Sequence, residues 1–137
     1  MNIEISFPGG KRVDAAYNGF AIQTDQPPQA GGQGSAPTPF SLFLASIGTC
    51  AGIYVLGFCQ QRGLPADDIR IRQSMEVNPA TRMVERINLD IDLPTDFPER
   101  YASALIRSAQ LCAVKKHLEK PPEFRIQTHI GQGEGVR

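Results

Sequence analysis

The chain has no tryptophan, two histidines and three cysteines, and its 137 residues carry no net charge at pH 7. Each shortage removes a class of function. Fourteen Lys and Arg balance fourteen Asp and Glu, so the basic excess expected of a nucleic-acid or anionic-membrane binder is missing. His117 and His129 stand alone, and no Cys or His pair has the short spacing of a zinc site, which argues against a dedicated metal centre. The odd cysteine count, without a C-x-x-C, is unlike the dense framework of a small secreted protein and points to a reducing, cytoplasmic compartment. The first eight residues, with Glu4 and neither a basic nor an apolar stretch, do not read as a signal peptide. Gly9-Gly10 and Gly31-Gly32-Gln33-Gly34 lack both Gly-Lys-Ser/Thr and a third glycine at dinucleotide-binding spacing, so they read as loops.

What the chain does have is 41% AVILMFWYC residues, the composition of one globular domain over residues 1–137. Its charges are unevenly spread. Only Glu4, Lys11, Arg12, Asp14 and Asp25 are charged in residues 1–60, and the other twenty-three follow. Within the uncharged stretch Gln26 to Gln61, the run Leu42 to Cys59 has the length of a membrane span, and Gly48 and Gly52 form a G-x-x-x-G. Ser46, Gly48, Thr49, Gly52 and Gly57 dilute it, however, and the rest of the chain reads as soluble strands and helices. The run is therefore expected to be the buried centre of a soluble fold. A helix apolar on every side must be covered all round, and so short a chain predicts a tight homodimer whose partner supplies part of the cover.

Around this helix the pattern gives an α+β order. Asn2–Phe7, Arg12–Tyr17 and Phe20–Thr24 read as strands turning at Pro8-Gly9-Gly10 and Asn18-Gly19. Thr38 and Pro39 open the long helix, which Gly63 stops. Ile69–Val77 and Met83–Leu93 alternate as a hairpin with one wet face, where Arg70 and Arg72 lie opposite Asp90 or Asp92 without a functional role. Phe97 to about Glu119 reads as helix with a break near Gln110–Cys112. Glu123–Ile130 reads as a last strand, and Gly131–Arg137 as a loose tail.

The cysteines are the remaining chemistry. Cys50 and Cys59, nine residues apart on one helix, face opposite ways and stand about 13 Å apart along the axis, which prevents their pairing. Cys112 is left as the intrachain partner open to either. All three could simply be small buried hydrophobes. Against that, Cys50 lies among Ser46, Gly48, Thr49, Ala51 and Gly52, which leave room beside its sulfur, and Lys115 and Lys116 follow Cys112 by three and four residues, where cations favour a thiolate.

Gly31-Gly32, Ala36-Pro37-Thr38-Pro39-x-x-Leu42, Ala45-Ser46-Ile47-Gly48-Thr49-Cys50 and Leu111-Cys112-Ala113-Val114 together resemble the OsmC/Ohr family over most of the chain. The resemblance implies antiparallel sheets packed on a long central helix in an intertwined homodimer, acting as a thiol-dependent peroxidase on small organic hydroperoxides. It makes Cys50 the attacking thiolate and Cys112 the thiol that condenses with the resulting sulfenic acid. It implies no bound cofactor, but an external dithiol reductant, often a lipoyl group. The family's activating arginine from an amino-terminal strand corresponds to Arg12, with Lys11 a weaker match. Two positions depart from the pattern. Ala113 replaces a frequent proline, and Phe40-Ser41 stand where peroxidase members carry a glutamate that orients the arginine. That leaves Arg12 held by another group, or the activity weakened or lost. Phe40 and Phe43 make the mouth of the pocket apolar, and Tyr54, one turn beyond Cys50, would hydrogen-bond into it. Two further readings stay open: a non-enzymatic module binding an apolar small molecule, and a thiol redox sensor.

Overall fold

Two-residue turns with left-handed backbone build the first sheet. Asn18 (φ 47°) and Gly19 (φ 81°) close the hairpin at Tyr17 and Phe20, the geometry whose twist matches that of the flanking strands. The computed structural model describes residues 1–131; residues 132–137, most of the expected loose tail, lie outside the described residues. Strands β1 (Glu4–Gly9), β2 (Arg12–Tyr17) and β3 (Phe20–Thr24) are antiparallel in the order β1-β2-β3. Register places Ile5, Ala15 and Ile22 side by side on one face and Ser6, Asp14 and Gln23 on the other. Ile5 and Ile22 remain exposed.

Asp25 organises the loop that follows. Its carboxylate accepts from the Ser35 hydroxyl at 2.6 Å and from the backbone N–H of Ser35 and Gln26 at 3.0 and 2.7 Å. These bonds, the Ser35 hydroxyl foremost, hold its pKa down to about 2 against the opposing effect of burial. Gly32 closes the same loop, because any Cβ there would run into the Gln26 carbonyl.

Helix α1 (Pro39–Gln61) starts and stops as expected. Thr38 caps it through the Ser41 N–H at 3.1 Å, and Gly63 (φ 64°) turns the chain away. Strands β4 (Arg70–Val77) and β5 (Val84–Asp92) pair Ile71 with Ile91, Gln73 with Leu89 and Met75 with Ile87. The Gly48/Gly52 stripe seats this hairpin. Gln73 donates to the Leu44 carbonyl at 2.9 Å while its Oε1 occupies space that a Cβ on Gly48 would need, and Ile71 lies beside Gly52. On the wet face Arg72 reaches diagonally to Asp92 at 2.8 and 3.0 Å.

After a short turn at Glu99–Tyr101 come α2 (Ala102–Ala109) and α3 (Ala113–Glu119), separated by the expected break. Leu105 joins Val55, Phe58 and Cys59 in the core, where Tyr101 meets Phe58 edge-on. His117 closes α3 by donating from Nδ1 to the Ala113 carbonyl at 2.7 Å.

The expected last strand, Glu123–Ile130, is not formed in this chain. Its residues alternate as a strand would, but a strand needs a hydrogen-bonding neighbour, and none of the described strands pairs with it. Phe124, Ile126 and Ile130 are 82%, 91% and 97% exposed. The whole chain exposes 10917 Å², whereas a compact monomer of this mass exposes about 7,000 Å².

The loop gives a two-part expectation. Gly32→Ala is expected to lower stability by about 1–3 kcal/mol in urea unfolding, since backbone must move to admit the methyl group. The folded Asp25 pKa lies below the unfolded value of 3.8, so its contribution is present above that value and fades as pH falls towards 2. Acid unfolding followed by circular dichroism should show this loss, and Asp25→Asn should flatten the profile in that window.

Candidate functional site

Cys50 stands on a border. At about 100° per residue, Ile47, Ala51, Val55 and Phe58 turn to one side of it along α1 and are buried, while Ile53 and Leu56 turn to the other and are exposed. Phe43 and Tyr54 lie nearest to its own direction, two turns before and one turn after. Phe40 stacks on Phe43 with ring centroids 5.7 Å apart.

Cys112 comes to this border from the break between α2 and α3. Its backbone (φ −47°, ψ 123°) is extended, so the residue sits just ahead of α3 and its Sγ caps the helix by accepting the Lys115 N–H at 3.4 Å. The same sulfur lies 4.0 Å from the Ile47 carbonyl, one turn before Cys50. All three cysteines are free thiols, and Cys112 is only 2% exposed.

The two thiols act on each other and differ in what else reaches them. The Cys50 pKa is lowered, first by the Val114 N–H, then by the Cys112 thiol, with the Ala113 N–H adding to them against the cost of burial. Ala113 and Val114 are the first two residues of α3, whose N–H groups have no acceptor within the helix; the Cys50 sulfur takes that place. Burial, with the neighbouring Cys50 sulfur adding to it, pushes the Cys112 thiol up, although the Lys115 N–H works the other way. The pair is thus polarised into a thiolate-favouring Cys50 and a proton-bearing Cys112. The expectation that the lysines would favour a thiolate at Cys112 is corrected: Lys115 turns its ammonium to Glu119 at 3.7 Å, and only its backbone N–H meets the sulfur. Cys59, fully buried, has its thiol pushed up by desolvation.

Arg12 is not brought to the sulfurs within one chain. Its guanidinium bonds Asp14 on the same strand at 3.1 Å, and no cation contributes to the lowered pKa of Cys50. Lys11 lies beside Gly31. The donors that do act on Cys50 are main-chain groups, which residue type does not advertise; Ala113, standing where proline would have no N–H, was the one hint.

On the far side of Cys112 a cavity of about 710 Å³ opens between α1, α2 and the edge of β5. Cys112 is in its wall, whereas Cys50, Phe40, Phe43 and Tyr54 are not. Among the described residues no cluster of three His, Cys, Asp or Glu side chains is placed to hold a metal ion.

Comparison with known proteins gives a family match and a shared fold. The OsmC-like protein family matches residues 32–127. Among solved structures, one from Psychrobacter arcticus, named for an osmotic stress and detoxification response, superposes with a TM-score of 0.71 at 18% identity, covering 85% of this chain and 86% of that one. An OsmC-like protein of Mycoplasma pneumoniae gives 0.65 at 15% identity, covering 88% and 87%. The organic hydroperoxide resistance protein OhrB of Bacillus subtilis gives 0.51 at 17% identity, covering 88% and 93%. No curated protein sequence matches the chain.

Ala113→Pro tests the main-chain donors. Proline suits the first position of a helix, and Cys112 already has the extended backbone that must precede one. The substitution removes only the Ala113 N–H from the sulfur. The pH dependence of Cys50 alkylation by iodoacetamide should move to higher pH, with the fold unchanged by circular dichroism.

Proposed function

Because the chain belongs to the OsmC-like protein family, we propose that it is a cysteine-based hydroperoxide reductase acting on organic hydroperoxides. The observation that supports this most is the polarised sulfur pair. A Cys50 thiolate attacks the terminal oxygen of the peroxide, the O–O bond breaks, and the alcohol leaves with a proton. Cys112, whose thiol acts on Cys50, then attacks the sulfenic acid sulfur; water leaves and a disulfide joins the two. An external dithiol restores both thiols. Named relatives such as the organic hydroperoxide resistance protein of Bacillus subtilis lend the substrate class, and the exposed Phe43 and half-buried Tyr54, which share the direction of Cys50 along α1, suit an organic group on the peroxide.

The working unit of this proposal is a homodimer. The large exposed surface, the bare apolar face of the first sheet and the unpaired 123–130 segment all need cover that one chain does not provide. Arg12 enters the site only if the second copy's first sheet carries it to Cys50, with Asp14 holding the guanidinium in place of the missing glutamate. Three free thiols fit a reducing, cytoplasmic compartment. The apolar cavity beside Cys112 also favours a second reading, a module that binds an apolar molecule without turnover.

Cys50→Ser is expected to reduce consumption of cumene hydroperoxide to the uncatalysed rate. Cys112→Ser should accumulate a sulfenic acid at Cys50 that dimedone traps. Persistence of turnover in Cys50→Ser contradicts the mechanism. Light scattering at micromolar concentration should give twice the chain mass of 15.0 kDa.

A further inference from the structure

We propose that Cys112 acts before the disulfide forms: its thiol protonates the alkoxide leaving the peroxide, and the thiolate this creates is the one that attacks the Cys50 sulfenic acid. The proposal deepens the peroxidase reading above and rests on it.

When a thiolate breaks the O–O bond of an alkyl hydroperoxide it expels an alkoxide, a strong base that a placed acid stabilises as it forms. The placement of the sulfurs narrows the choice of acid. Cys112 reaches the turn of α1 that precedes Cys50, where its Sγ lies 4.0 Å from the Ile47 carbonyl. At 2% exposure it shuts bulk water out of that side of the pair. The N–H groups of Ala113 and Val114 polarise the Cys50 sulfur but have no proton to give at neutral pH, and no cation or carboxylate acts on it among the described residues. Cys112 is the remaining group at that sulfur, and burial keeps its thiol protonated. Both sulfurs belong to one chain, so their contact does not depend on what a second copy covers.

The same burial would obstruct the second step. The thiolate is the nucleophile in sulfur chemistry, so a protonated Cys112 is idle until its proton goes. Oxidation of Cys50 removes what holds that proton. It converts the Cys50 thiolate, whose negative charge opposes a second one on Cys112, into a neutral sulfenic acid. The Lys115 N–H, 3.4 Å from the Cys112 sulfur, and the Val114 N–H then receive the new charge.

In the first step the Cys50 thiolate forms a bond to the terminal peroxide oxygen, the O–O bond breaks, and its electron pair leaves with the alkoxide. The alkoxide takes the Cys112 proton and departs as alcohol. The Cys112 thiolate then bonds to the Cys50 sulfur, and the S–O bond breaks with loss of hydroxide, which solvent protonates to water. Two electrons pass from the sulfurs to the peroxide.

The test compares two oxidants on the full-length protein. Cumene hydroperoxide expels an alkoxide, whereas peracetic acid expels acetate, which needs no proton at neutral pH. Cys112→Ser is the variant, because a serine hydroxyl still caps α3 yet is a far weaker acid than a thiol. Oxidation of Cys50 is followed in a single turnover by acid quenching and mass spectrometry. Relative to the unsubstituted protein, the rate with cumene hydroperoxide is expected to fall about a hundredfold more than the rate with peracetic acid. A change in the Cys50 thiolate population alters both rates alike and cancels in their ratio. An unchanged ratio confines Cys112 to disulfide formation and overturns the inference. A ratio that changes in Tyr54→Phe and not in Cys112→Ser assigns the proton to the phenol and also overturns it. Unsubstituted protein that reacts with peracetic acid and is inert to cumene hydroperoxide removes the peroxidase reading, and the inference with it.

Discussion

A helix of twenty-three residues without one charged side chain sets the terms for everything around it. Its apolar surface runs the whole way round, and water is an acceptable neighbour for little of it. The hairpin β4–β5 covers one stripe because Gly48 and Gly52 let it close in; α2 covers another through Leu105. The stripe carrying Phe43, Ile53 and Leu56 is left bare. Cys50 sits where cover ends, and that position gives it both a dry neighbour and an open side.

The asymmetry of the sulfur pair follows from how the second helical region is broken. A continuous helix from Ala102 to Glu119 would have used the N–H groups of residues 113 and 114 internally. The break after Ala109 frees them and makes Cys112 the cap of α3. Two backbone dipoles and a thiol then converge on Cys50, while at Cys112 burial outweighs the N–H groups of Lys115 and Val114. No ionised side chain is required for this. A main-chain donor is fixed in place by the fold and cannot swing away, which distinguishes it from an arginine on a long stem.

Much of this was legible in the sequence, for reasons that can be named. Thr38-Pro39 and Gly63 bracket α1 through capping chemistry, and Asn18-Gly19 forces its turn by backbone preference. The two faces of the hairpin follow from period-two alternation, which left its register open; the pairing of Arg70 with Asp92 and Arg72 with Asp90 resolves it. The break near Cys112 was visible too. What the sequence concealed was long-range or main-chain. Glu123–Ile130 carries a strand's alternation, but alternation does not supply a partner. Lys115 and Lys116 looked like activators of Cys112 because spacing on a helix reports proximity and not direction; one ammonium is spent on Glu119. Arg12 was chosen by resemblance, and in its own chain it belongs to Asp14. The N–H groups at Cys50 have no residue letter at all.

The surroundings of the sulfur pair favour charge at one of them. N–H groups at the start of α3 lower the Cys50 pKa, while burial raises that of Cys112, so a negative charge in the pair rests at the border of α1, where Phe43 and Tyr54 share the direction of Cys50. In the proposed cycle a Cys50 thiolate is the form that meets the peroxide, and donors that belong to the backbone need not move to stabilise it.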